Sequence, residues 1–196
     1  MSNPDRRAVV IAGHTGDLDT ARTGLESPDG AVRAAALGAL ERLDELTDHD
    51  LRAALDDPDT RIRRRAAEIA ATHPEVDLVD SLHDPDARVV EVAAWACGEQ
   101  ESNRDAVVEA LIALASDAAD ALVREAAVAA LGAIGDDRAI DVIIAACTDK
   151  PAVRRRAVLA LAPFDGERVD AAVDRALSDR DWQVRQAAED LRRAQS

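Results

Sequence analysis

The side chains able to do chemistry are few in this 196-residue chain, and they are scattered. Its four histidines, His14, His49, His73 and His83, fall in different stretches, with no His-x-x-x-His spacing among them. The two cysteines, Cys97 and Cys147, form no Cys-x-x-Cys pair, and no glycine-rich phosphate loop appears. A metal site shared by His73 and His83 would need carboxylates that the pattern does not place. The reading is therefore no catalytic residues, no metal, no cofactor and no enzymatic activity. Two arginine triplets, Arg63-Arg64-Arg65 and Arg154-Arg155-Arg156, are the other chemical feature. Three consecutive residues point in three directions around a helix, so at most two face one surface. An anion site is thereby disfavoured, and Arg65 and Arg156 are expected to pair with acids of a neighbouring unit.

The elements that would position these groups repeat. In the stretch 121–136, ALVREAAVAALGAIGD, apolar residues fall at Val123, Ala126, Ala127, Ala130, Leu131 and Ile134, one stripe of an α-helix. Gly132 and Gly135 stand near its end, where a left-handed residue can stop a helix. The marker Val123 has equivalents at Val32, Ile62, Val89, Val153 and Val184, spaced 30, 27, 34, 30 and 31 residues apart by subtraction. The next residue is Arg33, Arg63, Val90, Arg124, Arg154 or Arg185, and the fourth after the marker is always Ala. Asp29, Asp59, Asp86, Asp120 and Asp181 precede the marker by three and suit helix N-caps; Lys150 breaks the rule, with Asp149 as a substitute.

A period of about 30 residues with two helices per unit marks an α-solenoid. The segments DPDTRIRRRAAEIA, DALVREAAVAALGAIGDDRAI and DRDWQVRQAAEDL resemble HEAT-like repeats of the phycobilisome-lyase type. The resemblance implies an all-α, right-handed α-α superhelix of about six helical hairpins, a single domain over residues 1–196 akin to armadillo arrays. It also implies that Asp57–Arg63 and Asp179–Arg185, each six residues apart, belong to a ladder between turns of successive units. HEAT-like metal hydroxylases carry His-Glu dipeptides, and this chain has none.

Composition narrows the partner. The chain carries a net charge of −15, one lysine and 2% aromatic residues. This acidic, lysine-poor style resembles proteins of salt-loving archaea, in which dense carboxylates hold water; a GC-rich genome that favours arginine over lysine is the alternative. Nucleic-acid binding needs a basic footprint that is missing here. No apolar run approaches a membrane span, the N-terminal apolar segment is too short for a secretory signal, and a cytoplasmic location follows by default. Cys97 and Cys147 are expected as buried thiols two units apart, beyond disulfide reach.

Residues 1–5 are expected to fray. Inner helices are expected over 6–12, 31–43, 60–72, 87–99, 121–134, 152–162 and 182–194. Outer helices are expected over 18–25, 48–55, 76–82, 105–115, 138–147 and 169–177, with a polar loop at 101–103. Arg192, where other units carry an apolar residue, and Arg6 and Arg7 suit capping units. Inner helices should line the concave face, with the residues two, five, six and nine after the marker pointing outward. That face would present Trp95, Val128, Val158 and Leu159, rimmed by Arg64, Glu91, Glu125 and Arg155. An apolar strip on so acidic a surface points to a protein-binding groove. Trp182, at a helix start, is expected to pack over the turn. The expected function is a protein-interaction scaffold or adaptor, with no small molecule, membrane or nucleic acid as partner. The alternatives are an accessory subunit of a bilin-lyase-like enzyme and a HEAT-like nucleic-acid-binding module.

Overall fold

Each marker residue opens a helix that hides it. In the computed structural model, which describes residues 4–101 and 104–194, all six markers are buried, and the alanine four residues after each is wholly inaccessible. Helices of 7 to 14 residues are marginal alone in water. Burial of these stripes against neighbouring helices holds them.

The contacts cluster into two units, residues 1–81 and 82–196. The first contains α1 (Arg6–Thr15), α2 (Leu18–Leu25), α3 (Gly30–Arg42), α4 (Asp48–Leu55) and α5 (Thr60–Ala70). The marker helices α3 and α5 pack on each other, α1 packs on α3, and α2 and α4 cover α3 and α5. The second unit contains α6 (Ala87–Glu99), α7 (Asp105–Asp117), α8 (Ala121–Ile134), α9 (Ile140–Ala146), α10 (Pro151–Ala160), α11 (Glu167–Ala176) and α12 (Trp182–Ala194). Here α6, α8, α10 and α12 pack in sequence as one layer, while α7, α9 and α11 form the second layer behind them. No described residue is in a strand, and no helix among the described residues is long and apolar enough to cross a membrane.

The starts of the marker helices follow from aspartate chemistry. Asp29, Asp59, Asp86, Asp120 and Asp181 each accept from the backbone N–H two residues on. The Arg61 side chain, doubly bonded to Asp59, holds that carboxyl down at about 2. Asp149 does not cap α10; Pro151 opens that helix without a side-chain cap. Asp149 instead joins a ladder. Arg33 donates through Nε and Nη2 to both oxygens of Asp57, Arg124 to Asp149, and Arg154 to Asp179, all at 2.6–2.9 Å. Meanwhile Arg63 and Arg185 donate to the backbone carbonyls of Asp57 and Asp179. So the six-residue pairs are real but meet through the carbonyl, and each of these two carboxylates serves the arginine of the preceding repeat. Arg154 is only 5% exposed. The arginine bonds hold Asp149 and Asp179 below the usual carboxylate range.

Several expectations need correction. Asp5 caps α1 through Ala8 N–H, so order begins before residue 6; residues 1–3 and 102–103, expected to be frayed end and polar loop, lie outside the described residues. The expected outer helix at 76–82 is a 3-10 turn, Asp80–His83, with Val76, Leu78 and Leu82 buried. Helix α9 is preceded by a 3-10 turn, Asp137–Ala139. Gly135, at φ 69°, is the left-handed stop of α8, whereas Gly132 lies inside the helix as a contact surface. A Cβ on Gly132 would stand 2.6 Å from Ala160 Cα, and one on Gly98 2.8 Å from Ala130 Cα. The marker helices approach so closely that only hydrogen fits. Cys97 is buried and Cys147 half-buried at the end of α9, where burial pushes its thiol up to about 11.

Candidate functional site

A marker helix in these stacks is covered on two sides, and the arc left open is narrower than a single stripe implies. At about 100° per residue, the positions zero, four, five, seven and eight after the marker sweep more than a third of the circumference. All are buried in α8 and α10. Position five holds Val128 and Val158, both 0% exposed, and this overturns their expected place on a groove surface. Position five faces the next marker helix in the layer. In the first unit its equivalent Leu37 shares a small cavity with Ile62 of α5, and in α12 the same position holds the exposed Glu189.

The centre of the open arc is position six. There α6 carries Trp95, α8 carries Ala129 and α10 carries Leu159. Trp95 is 42% and Leu159 41% exposed, with the half-buried Ala129 on the helix between them. A large, a small and a large apolar residue thus stand on three adjacent helices. Leu122, one residue before the marker of α8, opens on the same arc and is 55% exposed. The sequence reading missed it because it took only the outward positions after each marker. Trp182, expected to cover a turn, is instead exposed at the start of α12.

Polar groups flank this strip unevenly. Glu91 and Glu99 lie one turn before and one turn after Trp95 on α6, and neither makes an ion pair among the described residues. Glu99 was not singled out from sequence, although its spacing of four from Trp95 was available. The cation nearest along this arc of α6, Arg88, is bonded through Nε and Nη2 to the cap Asp86. On α8, Glu125 faces two guanidinium groups of α10: Arg155 at 4.0 Å and Arg156 at 3.7 Å. Both distances exceed hydrogen-bonding range, and Arg156 Nε is buried without an acceptor. The expected inter-unit pairing of Arg156 is therefore loose, and Arg65 pairs instead with Glu68 of its own helix at 2.9 Å. Arg64 is exposed on α5 in the first unit. On α12, Asp190 accepts from Gln186 and Arg193.

Nothing in this arrangement aligns a nucleophile with a base. No group of three or more His, Cys, Asp or Glu among the described residues is placed to hold a metal ion. His73 sits between Glu41 at 3.0 Å and Asp48 at 3.4 Å, joining the ends of neighbouring helices within the first unit.

Known structures share the fold. The crystal structure of YibA from Escherichia coli superposes with a TM-score of 0.73 at 18% identity, over 95% of this chain and 74% of that one. The CpcE–CpcF complex of phycocyanin lyase from Nostoc sp. PCC7120 gives 0.63 at 22%, over 96% and 76%. A designed armadillo repeat protein gives 0.60 at 19%, over 91% and 100%. No curated protein matches the sequence. The profile of HEAT repeats matches residues 75–162 and 108–192, more than half the chain. With the recurring marker, alanine and aspartate positions, this places the chain in the HEAT-repeat family.

Proposed function

We propose that this protein is a non-enzymatic scaffold or adaptor that holds a protein partner on the open face of α6, α8 and α10. The carrying observation is the exposure of Trp95 and Leu159 at the centre of the arc that packing leaves free on the marker helices. A buried Trp in a core needs no further explanation, but a half-exposed one on a chain of net charge −15 costs solubility. Interfaces draw their affinity from such residues, with charged groups at the rim setting register and partner choice. Glu91, Glu125 and Arg155 are that rim, and Ala129 and Leu122 extend the apolar floor. Val128 supports the face from beneath and makes no partner contact.

The test compares wild-type protein with Trp95→Ala and Leu159→Ala, singly and together, as bait in native extract. Helicity should be unchanged, because neither side chain is buried. A polypeptide retained by the wild type should be lost from the double variant. Equal retention by all baits would remove this face from the account.

A further inference from the structure

The strip has a charge direction. At its α6 end, Trp95 stands between two carboxylates, Glu91 and Glu99, that have no cationic partner among the described residues. At its α10 end, Leu159 lies one turn after Arg155, and Arg155 and Arg156 share the single carboxylate of Glu125 at 3.7–4.0 Å. Two guanidinium groups against one carboxylate leave a positive charge in excess. Of the other charged groups on these helices, Arg88 is satisfied by Asp86, and Asp190 by Gln186 and Arg193. The floor between the two ends is Ala129, small enough to admit a side chain from above.

Resting on the scaffold reading above, we infer that this face receives an extended peptide segment with a cationic residue at one end and a carboxylate at the other. The Arg or Lys of that segment stacks on the Trp95 ring, with its charge between Glu91 and Glu99. A ring face flanked by carboxylates suits a cation twice over, by the quadrupole and by the ion pair. An aliphatic residue drops onto Ala129 beside Leu159. The carboxylate at the far end takes the guanidinium groups of Arg155 and Arg156, which bind carboxylate through paired N–H donors.

The spacing of the two charges in the partner follows from the helices. Helices α6 and α10 are separated by α8, hence by two interhelical distances, about 16–20 Å. An extended chain rises about 3.3 Å per residue, so the cation and the carboxylate should be about five or six residues apart. The glycine contacts at Gly98 and Gly132 pull both spacings toward the short end.

The experiment uses full-length protein carrying Trp182→Phe, so that Trp95 is the sole indole. End-blocked peptides with one Arg, one Glu and a central Leu are titrated at low salt, with spacers of about two, five and eight residues between the charges. Trp95 emission reports binding. The intermediate spacer should bind about fivefold tighter than the short or long one, the effect of one rim charge pair. Glu91→Gln with Glu99→Gln should lower its affinity by a similar factor. Arg155→Glu with Arg156→Glu should reverse preference toward a peptide with Arg at both ends.

Spacer-independent affinity, a doubly basic peptide binding the wild type equally well, or no response from any peptide at millimolar concentration would each overturn the inference. The scaffold reading has a separate test. If extract capture depends on Trp95 and Leu159 but not on Glu91, Glu99, Arg155 or Arg156, the bipolar occupant is wrong and the binding face stands.

Discussion

Gly132→Ala should destabilise the protein, although alanine is the better helix former. Gly132 lies within α8, where replacing glycine by alanine normally gains about 1 kcal/mol. Here the new Cβ would stand 2.6 Å from both Cα and Cβ of Ala160 and 3.0 Å from its carbonyl oxygen. Reaching ordinary contact at 3.4 Å needs α8 and α10 to part by roughly 0.8 Å, the difference of the two distances. That separation also loosens the buried Val128, which faces α10 from α8. Overpacking costs about 1–3 kcal/mol, and a contact at 2.6 Å with backbone lies toward the upper end, about 2–3 kcal/mol, so a net loss of about 1–2 kcal/mol is expected after the helical gain. For a chain of this length the melting temperature should fall by roughly 3–6 °C. Gly38→Ala is the control. Its Cβ would meet the far end of the Arg65 side chain at 2.9 Å, which can swing away, so this variant should melt roughly 2–3 °C higher. Thermal unfolding followed by circular dichroism reads both. Ala160→Gly added to Gly132→Ala should restore little, because Ala160 Cα is as close as its Cβ. A Gly132→Ala protein as stable as Gly38→Ala would refute the close approach of α8 and α10.

Three further outcomes follow from the ladder and the thiols. Asp179→Asn leaves the buried Arg154 guanidinium half-paired and should cost about 3 kcal/mol, read as a lower urea midpoint with unchanged slope. Stability should fall with acid. Asp149 and Asp179 are held below their unfolded value by Arg124 and Arg154, so their contribution is complete above the ordinary carboxylate range and disappears as pH drops through the folded value. Urea titrations at pH 6, 4 and 3 should show the loss, and Asp179→Asn should flatten it. Neither thiol should react with a disulfide reagent in native protein at pH 7.5, since Cys97 is buried and Cys147 is pushed up to about 11; both should react on unfolding.

The helical repeat was legible because its signals are local. Val123, Ala127 and Asp120 each act within one or two turns of their own helix, and their recurrence identifies the unit without reference to any other part of the chain. The failures that bear on the candidate face are places where a second helix decides. A hydrophobic stripe reports that one side of a helix is covered. It does not say that a further helix covers the next 60° or so, which is where Val128 and Val158 lie. Gly132 read as a helix stop because glycine near a helix end usually is one; its true neighbour, Ala160, is 28 positions further on by subtraction. The segment at 76–82 has the apolar content of a helix, yet Val76, Leu78 and Leu82 are buried from irregular chain leading into a 3-10 turn, Asp80–His83.

The same division explains why the candidate face rests on so few residues. Positions zero, four, seven and eight are bound to small or aliphatic side chains by the core, position five by the next helix, and position one by the arginine ladder wherever Arg stands there. Position nine is held to glycine at Gly98 and Gly132 by close approach. What remains unconstrained by folding on α6, α8 and α10 is the arc around position six and its neighbours at two and ten. Stability alone would fill that arc with charge, as the second unit does with Asp190 on α12 and the first with Glu68 on α5. Trp95 and Leu159 depart from that rule on two helices of one layer, on either side of an alanine. A departure confined to the positions the fold leaves free cannot serve packing, and that is the physical reason to look for the partner there.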